Sequence, residues 1–399
     1  MILKKKGYFK IISISFGVSF GFILLEVFAR LAPATDVFPL VRPIECDLSK
    51  NINLKCLHRK KPFSEGKWSA GKFSPFNQVV IKRTNDIGQF SDINFSDFRE
   101  TENDKVKIIS IGDSYTEALQ VENSKTFHGR LNQKKTESNK KIVSTAIGSA
   151  GMAFPNYIAY IQYLNNVLDL EEHVLVIPII SNDFDESFVK YGLKGRRAGL
   201  GQFYFDEFSD ELIFTPFPSR INLTQTVIDL TLKNSALSRY LVYNLKFRDY
   251  LRNNFSLFTQ KDFNKENYVG NIVESSRVDT PERYKLGKDA ISLFIRNLNQ
   301  LRKTKTEKKK TILLVDAERD SIYKNMALEG ETFYETMRDE FIKASLENGY
   351  TVIDMKEIFR DDYSRNKIRF NSIYDGHWDE YGHKVVTDQI IHKINKLAL

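Results

Sequence analysis

Two short stretches far apart in the chain carry the residue types of acyl-transfer chemistry. The first is Ile111-Gly-Asp-Ser-Tyr-Thr-Glu117, where an apolar run ends in glycine and Ser114 follows. A serine at such a strand-to-helix turn exposes its hydroxyl at the sheet edge. Its amide lies among the free donors of a helix N-terminus, where the dipole favours anions. That position suits a nucleophile and one donor of an oxyanion hole. The plainer reading of the same residue is an N-cap. The second stretch is Asp375-Gly-His-Trp-Asp-Glu-Tyr-Gly-His383, just before a C-terminal helical pattern. A serine nucleophile needs a base, and the chain has six histidines, at 58, 128, 173, 377, 383 and 392. His377 is the candidate base, because it sits at a strand-to-helix corner with Asp375 two residues before it. That carboxylate can fix the ring tautomer and stabilise the imidazolium. A backbone carbonyl is the alternative partner. His383 reads as structural or surface, His173 as the start of a strand, and His58 as part of a basic linker.

Two further donors are needed to hold an oxyanion. Gly148 ends the second apolar run, where no side chain shields its amide. Asn182, in Ile180-Ser-Asn-Asp183, ends the third and offers a side-chain amide. Each alone is an ordinary turn residue.

These residues have to be carried on strand ends. The pattern predicts strands at Val106–Ile111, Lys141–Ile147, His173–Ile180, Thr311–Val315 and Thr351–Met355. It predicts helices at Phe154–Leu168, 281–302, 332–348 and from Tyr381 to about Leu397. Strands alternating with helices mean a parallel sheet with helices on both faces, and in such sheets ligands bind beyond the carboxyl ends of the strands. One segment, about 184–280, breaks the rhythm. It contains the basic loop Gly192–Gly201, a hairpin pattern over Phe203–Pro216 turning at Ser209-Asp210, and a helical stretch over Val227–Phe258. An insertion after a strand's carboxyl end reads as a cap over the site, or equally as a structural side lobe.

Together the four blocks resemble the SGNH (GDSL-like) hydrolase superfamily, in that superfamily's order, over roughly Val106–Leu399 less the insertion. The resemblance implies an α/β fold, a three-layer flavodoxin-like parallel sheet. It implies Ser114 as nucleophile, His377 as base and Asp375 as its partner, with an oxyanion hole from the Ser114 amide, Gly148 and Asn182. The chain departs from the pattern in three places. The Asn block lacks its leading glycine, Ala118 stands where glycine is usual, and Asp375 is two residues before the histidine instead of three. The shorter Asp-x-His-Trp form resembles membrane-anchored, polysaccharide-acetylating members.

The first thirty residues set the expected compartment. Lys4, Lys5, Lys6 and Lys10 precede Ile11–Leu25, which carries no charge. Extended to Ala29, the run is nineteen residues with one acid, Glu26. About 20 mostly apolar residues span a bilayer. The lysines put the N-terminus in the cytoplasm and the rest outside. A cleaved signal peptide and a buried core helix are the rivals. In an oxidising compartment Cys46 and Cys56, ten residues apart, are expected to form a disulfide. The expected organisation is a cytoplasmic N-terminus (1–10), a signal anchor (11–30), a basic stalk (31–103) and a hydrolase-like domain (104–399). The stalk is read from eight Lys or Arg between Lys55 and Arg83 against one acid, Glu65.

At 42% hydrophobic and 28% charged residues, the chain is neither disordered nor fibrous. Two cysteines exclude a disulfide-dense scaffold or a four-thiolate zinc site. No phosphate-binding or dinucleotide glycine motif and no His-Glu-x-x-His occurs. The net charge of +8 is scattered instead of interleaved with aromatics, so nucleic acid is not an expected partner. No cofactor or metal is expected. The expected function is a serine-dependent acyl-ester hydrolase outside the membrane, acting on O-acyl (acetyl) groups of a glycan or another envelope ester. The alternatives are an O-acetyltransferase for polysaccharide, a non-catalytic glycan-binding or assembly protein, and a metal-dependent phosphatase or nuclease.

Overall fold

The computed structural model describes residues 2–31, 34–69, 79–102, 104–192, 200–217, 223–245, 247, 279–323, 332–372 and 376–397. The chain divides into two compact units. One comprises 1–37, 66–81 and 220–263, and the other 38–65, 82–219 and 264–399.

The second unit is built on five strands: β1 (Val106–Gly112), β2 (Ile142–Gly148), β3 (Val174–Ile179), β6 (Thr311–Val315) and β7 (Thr351–Asp354). Their order across the sheet is β2-β1-β3-β6-β7, and every pairing is parallel. This is the flavodoxin-like order expected. Strands buried on both faces read as unbroken apolar runs, which is why their bounds match the sequence reading to within a residue or two. Alternate residues serve opposite layers. Ile109, Ile111, Leu175, Ile177, Leu313 and Val315 pack with helices α4 (Phe154–Val167), α8 (Pro281–Leu301) and α9 (Phe333–Glu347). Ile108, Val174, Val176, Ile312 and Leu314 pack with α3 (Phe127–Leu131), α10 (Met355–Asn366) and α11 (Glu380–Lys396). The helices start on caps the sequence supplies. Thr280 accepts from the Arg283 amide ahead of Pro281, and Asp379 accepts from the Gly382 amide at the head of α11.

The expected basic stalk is corrected by the structure. Residues 38–65 and 82–102 belong to the same unit as the sheet, and Cys56, Leu57, Ile87, Phe95 and Phe98 sit in the core cluster with α4. These apolar residues follow neither helical nor strand period, so only the surrounding cations were conspicuous. Cys46 and Cys56 form the expected disulfide. The insertion also divides. Its hairpin, β4 (Gln202–Phe205) with β5 (Leu212–Thr215), packs on the first turn of α4, where the Asn156 side chain both donates to and accepts from the Phe203 backbone. The insertion's described residues 223–245 group with the N-terminal helix instead. Residues 193–199 of the expected loop, and 246 and 248–258 of the expected helix, lie outside the described residues.

In the first unit, α1 (Ile2–Leu31) contains the stretch Ile12–Leu31, 20 residues at mean hydropathy 2.0, long and apolar enough to cross a membrane.

Candidate active site

Ser114 and His377 are 263 residues apart in sequence, and the fold places His377 Nε2 2.8 Å from Ser114 Oγ. Ser114 opens the short helix α2 (Ser114–Glu117) directly beyond β1. The preceding Asp113 caps that helix, its Oδ1 accepting from the Tyr115 amide at 2.9 Å. Its Oδ2 accepts from the Ser114 hydroxyl at 3.1 Å. Ser114 Oγ thus has two neighbours and one proton, so the proton serves either Asp113 or the imidazole. Burial pushes the Asp113 carboxyl up to about 6, against the pull of the Tyr115 amide and His377. Asp183, also fully buried, is held well above the carboxylate range by burial and by the nearby Asp113 charge. It accepts from the Ile180 amide at 2.8 Å and the Tyr157 hydroxyl at 2.7 Å, which fixes the turn after β3.

The loop carrying His377 is gripped on both sides by one buried ion pair. Arg319 meets Asp316, the residue after β6, through two bonds of 3.0 and 2.9 Å. Arg319 also donates to the Gly376 carbonyl at 3.1 Å, immediately before the histidine. On the other side the Trp378 indole donates to Asp316 Oδ1 at 3.0 Å. Tyr115 completes the brace, its hydroxyl donating to the Gly376 carbonyl at 3.1 Å and its ring lying 4.8 Å from the imidazole. Gln120 donates to the Trp378 carbonyl, and the Ser372 amide to the His377 carbonyl. Asp375 lies outside the described residues.

The oxyanion expectations fare unevenly. Gly112 and Gly148 are register partners at the carboxyl edge of β1 and β2, so the loop after Gly148 lies against α2. A Cβ on Gly148 would come within 2.7 Å of the Gly112 carbonyl oxygen and 2.9 Å of Thr116, so this position has no room for a side chain. Its amide is already engaged, donating to Gln89 Oε1 at 3.0 Å. That engagement corrects the expectation that the Gly148 amide faces a substrate. The next residues are held too: Ser149 Oγ bonds His58 Nδ1 at 2.9 Å, and the Ala150 amide donates to Glu117 Oε2 at 2.7 Å. Glu117 is fixed in turn by Lys60 at 2.6 Å. Gly151 follows with φ +78, exposed, and a Cβ there would meet nothing within 4 Å. Asn182 begins the helix Asn182–Asp185 beyond β3, beside β1, and its side-chain amide reaches Glu186 at 3.2 Å. One of its two N–H groups is therefore used by that bond and the second is left over by count.

His58, His128 and His383 are buried. Burial pushes His58 and His128 down to about 3 each, and His383 well below the usual range. His383 accepts from the Phe127 amide, so it is a buried core residue, and His58 is a support of the Ser149 loop instead of part of a linker. Gln89, Lys60, Asp316 and Arg319 had no signal in the sequence, because the partners named above lie 57 to 62 residues away or, for Asp316 with Arg319, look like an ordinary surface charge pair. Among the described residues, no group of three His, Cys, Asp or Glu is placed to hold a metal ion.

No family model and no curated protein matches the sequence. Solved structures do. An alpha/beta hydrolase enzyme from the metagenome of Lake Arreo, Spain, is 11% identical, with 73% of this chain and 97% of that chain covered and a TM-score of 0.36. A member of the lipolytic protein G-D-S-L family from Veillonella parvula DSM 2008 is 13% identical over 73% of this chain and 97% of its own, at a TM-score of 0.35. An acetyl xylan esterase, AlAXEase, is 13% identical over 72% of this chain and 100% of its own, at a TM-score of 0.36.

Proposed function

We propose that this chain is a serine esterase of the SGNH (GDSL-like) type, anchored by α1 with its N-terminus in the cytoplasm and its catalytic body outside. The observation that carries the chemistry is the 2.8 Å approach of His377 Nε2 to Ser114 Oγ. His377 takes the Ser114 proton as Oγ attacks an ester carbonyl. The tetrahedral oxyanion is held by the Ser114 amide, by the loop after β2 and by the second N–H of Asn182. Within that loop Gly151, exposed and with room around its Cα, is the donor of this reading, whereas Gly148 serves this role only if it releases Gln89. The alcohol leaves with the proton from His377, and water then cleaves the acyl-enzyme by the same route in reverse. Asp375 orients the imidazole in this reading. The substrate class is an O-acyl, foremost acetyl, ester of an envelope or secreted glycan.

Treatment with a fluorophosphonate probe, followed by peptide mass spectrometry, tests the reading. Labelling on Ser114, lost in Ser114→Ala and in His377→Ala, together with Ser114-dependent turnover of p-nitrophenyl acetate, is the expected result. A folded chain with no adduct on Ser114 and turnover equal to the Ser114→Ala background overturns it.

A further inference from the structure

Helix α6 (Leu223–Asn234) belongs to the first unit and leaves three of its apolar side chains uncovered. Val227, Ile228 and Leu230 are 54%, 45% and 53% exposed. At about 100° per residue these three, with Thr231 among them, occupy one arc of roughly 160°. Asp229 and Lys233, four residues apart, lie together outside that arc. A soluble surface helix has the opposite arrangement, with its apolar arc against a core.

The far end of α6 is tied to the last turns of the apolar span. Arg30 donates to the Asn234 carbonyl at 3.2 Å. Glu26 receives the Ser235 hydroxyl at 2.8 Å and the Ala236 and Leu237 amides at 2.9 and 3.0 Å, capping the helix α7 (Ala236–Arg239) that follows. Arg30 closes the set by donating to Glu26 at 2.9 Å. Ala29, Ala34, Ala236 and Tyr240 form a small buried cluster beside these bonds. Leu31, the end of the span, is five residues or about 7.5 Å of helix beyond Glu26. The acid inside the apolar run is thus explained, since it is the polar socket that receives α6–α7 near the depth where lipid headgroups begin.

We propose that α6 is an interfacial helix of the outer leaflet, with Val227, Ile228 and Leu230 seated among lipid acyl chains and Lys233 among the headgroups. This inference rests on the anchoring of α1 proposed above. The occupant of the apolar arc is a phospholipid surface, because α6 is tied at Asn234 to the end of the stretch that, among the described residues, is long and apolar enough to cross a membrane. A helix with an apolar face opposite a polar, charged face is the kind that lies in a membrane interface.

The test uses the full chain reconstituted at high lipid excess into phosphatidylethanolamine–phosphatidylglycerol vesicles. Val227→Cys, Leu230→Cys and Lys233→Cys each supply one reactive thiol for an NBD label, since Cys46 and Cys56 are paired in a disulfide. Vesicle flotation reports the anchor, and quenching by doxyl-labelled lipid reports the helix. The expected result is flotation, with blue-shifted emission at positions 227 and 230 quenched several-fold more than at 233. Flotation with water-like, unquenched emission at 227 and 230 overturns the interfacial helix and leaves the anchor standing. A blue shift without lipid quenching means that a second copy or another protein surface covers the arc, which also overturns it. Equal quenching at all three positions overturns the assignment of faces. Failure to float removes the anchor and this inference with it.

Discussion

Removing Arg319 separates what the buried ion pair does for stability from what it does for His377. Asp316 and Arg319 are 1% and 3% exposed, and the pair is closed by two hydrogen bonds. In Arg319→Met the Asp316 carboxylate stays buried with the Trp378 indole, among the described residues, as its one side-chain donor. Breaking a buried pair in this way costs about 3–5 kcal/mol. The same substitution removes one of the two donors that hold the Gly376 carbonyl, so the imidazole loses its placement against Ser114. A displacement of about 1 Å in a reacting group lowers rates about 100-fold. The double variant Asp316→Asn, Arg319→Met has no orphaned charge, and it should recover more than half of the lost stability. It should not recover the labelling rate, because nothing replaces the bond to Gly376. Urea denaturation of the detergent-solubilised chain, followed by intrinsic fluorescence, reads the first quantity. The second-order rate of fluorophosphonate labelling reads the second. A stability of Arg319→Met within about 1 kcal/mol of the parent sinks the argument for a tight buried pair. A double variant labelled at the parental rate sinks the positioning role.

Burial pushes the Lys82 ammonium, which donates to the Ala118 and Val121 carbonyls, down to about 7 from 10.5. Below pH 7 both folded and unfolded chains carry the proton, and above it the folded chain releases it first. The cost of burial therefore shrinks by about 1.4 kcal/mol per pH unit, and the parent should gain about 2 kcal/mol on Lys82→Met between pH 7 and 9. A pH-independent difference between the two denaturation curves would count against a buried, shifted amine. For Asp113 the sign is opposite in pH: its folded value of about 6 lies above the ordinary 3.8, so its contribution is present in acid and lost as pH rises through that window. Asp113→Asn should gain about 3 kcal/mol on the parent between pH 3 and pH 7, measured the same way, and an unchanged slope would refute the shift. Gly148→Ala forces a methyl to 2.7 Å from the Gly112 carbonyl oxygen and should cost about 1–3 kcal/mol while slowing Ser114 labelling; a neutral variant means that the β1–β2 edge is looser than drawn. The Cys46–Cys56 disulfide spans a separation of 10 residues, so Cys46→Ser, Cys56→Ser should lower stability by about 3 kcal/mol, and a reductant should have no further effect on that variant.

What could be read from the sequence was whatever depends on neighbours in the chain. The five strands are buried on both faces, so each announced itself as an apolar run, and the contact of Ser114 with His377 lies beyond the ends of such runs. Ser114 and His377 were legible because a serine after β1 and a histidine before α11 occupy the ends of elements that a parallel sheet brings to one edge. What the sequence hid depends on partners remote in the chain. Nothing local shows that the Gly148 amide is engaged; its acceptor, Gln89, lies 59 residues earlier. Nothing local shows that Lys60 and Lys82 are folded inward, since a lysine is read as solvated until its acceptors are known, and here these are Glu117 and two carbonyls. The same logic explains the insertion. Its hairpin follows strand period and was expected, while the capture of α7 by Glu26 joins residues more than 200 apart in sequence. Both misreadings took long-range partners for solvent. The buried cations and Glu26 are therefore the positions where substitution should disturb this protein most relative to what their local sequence suggests.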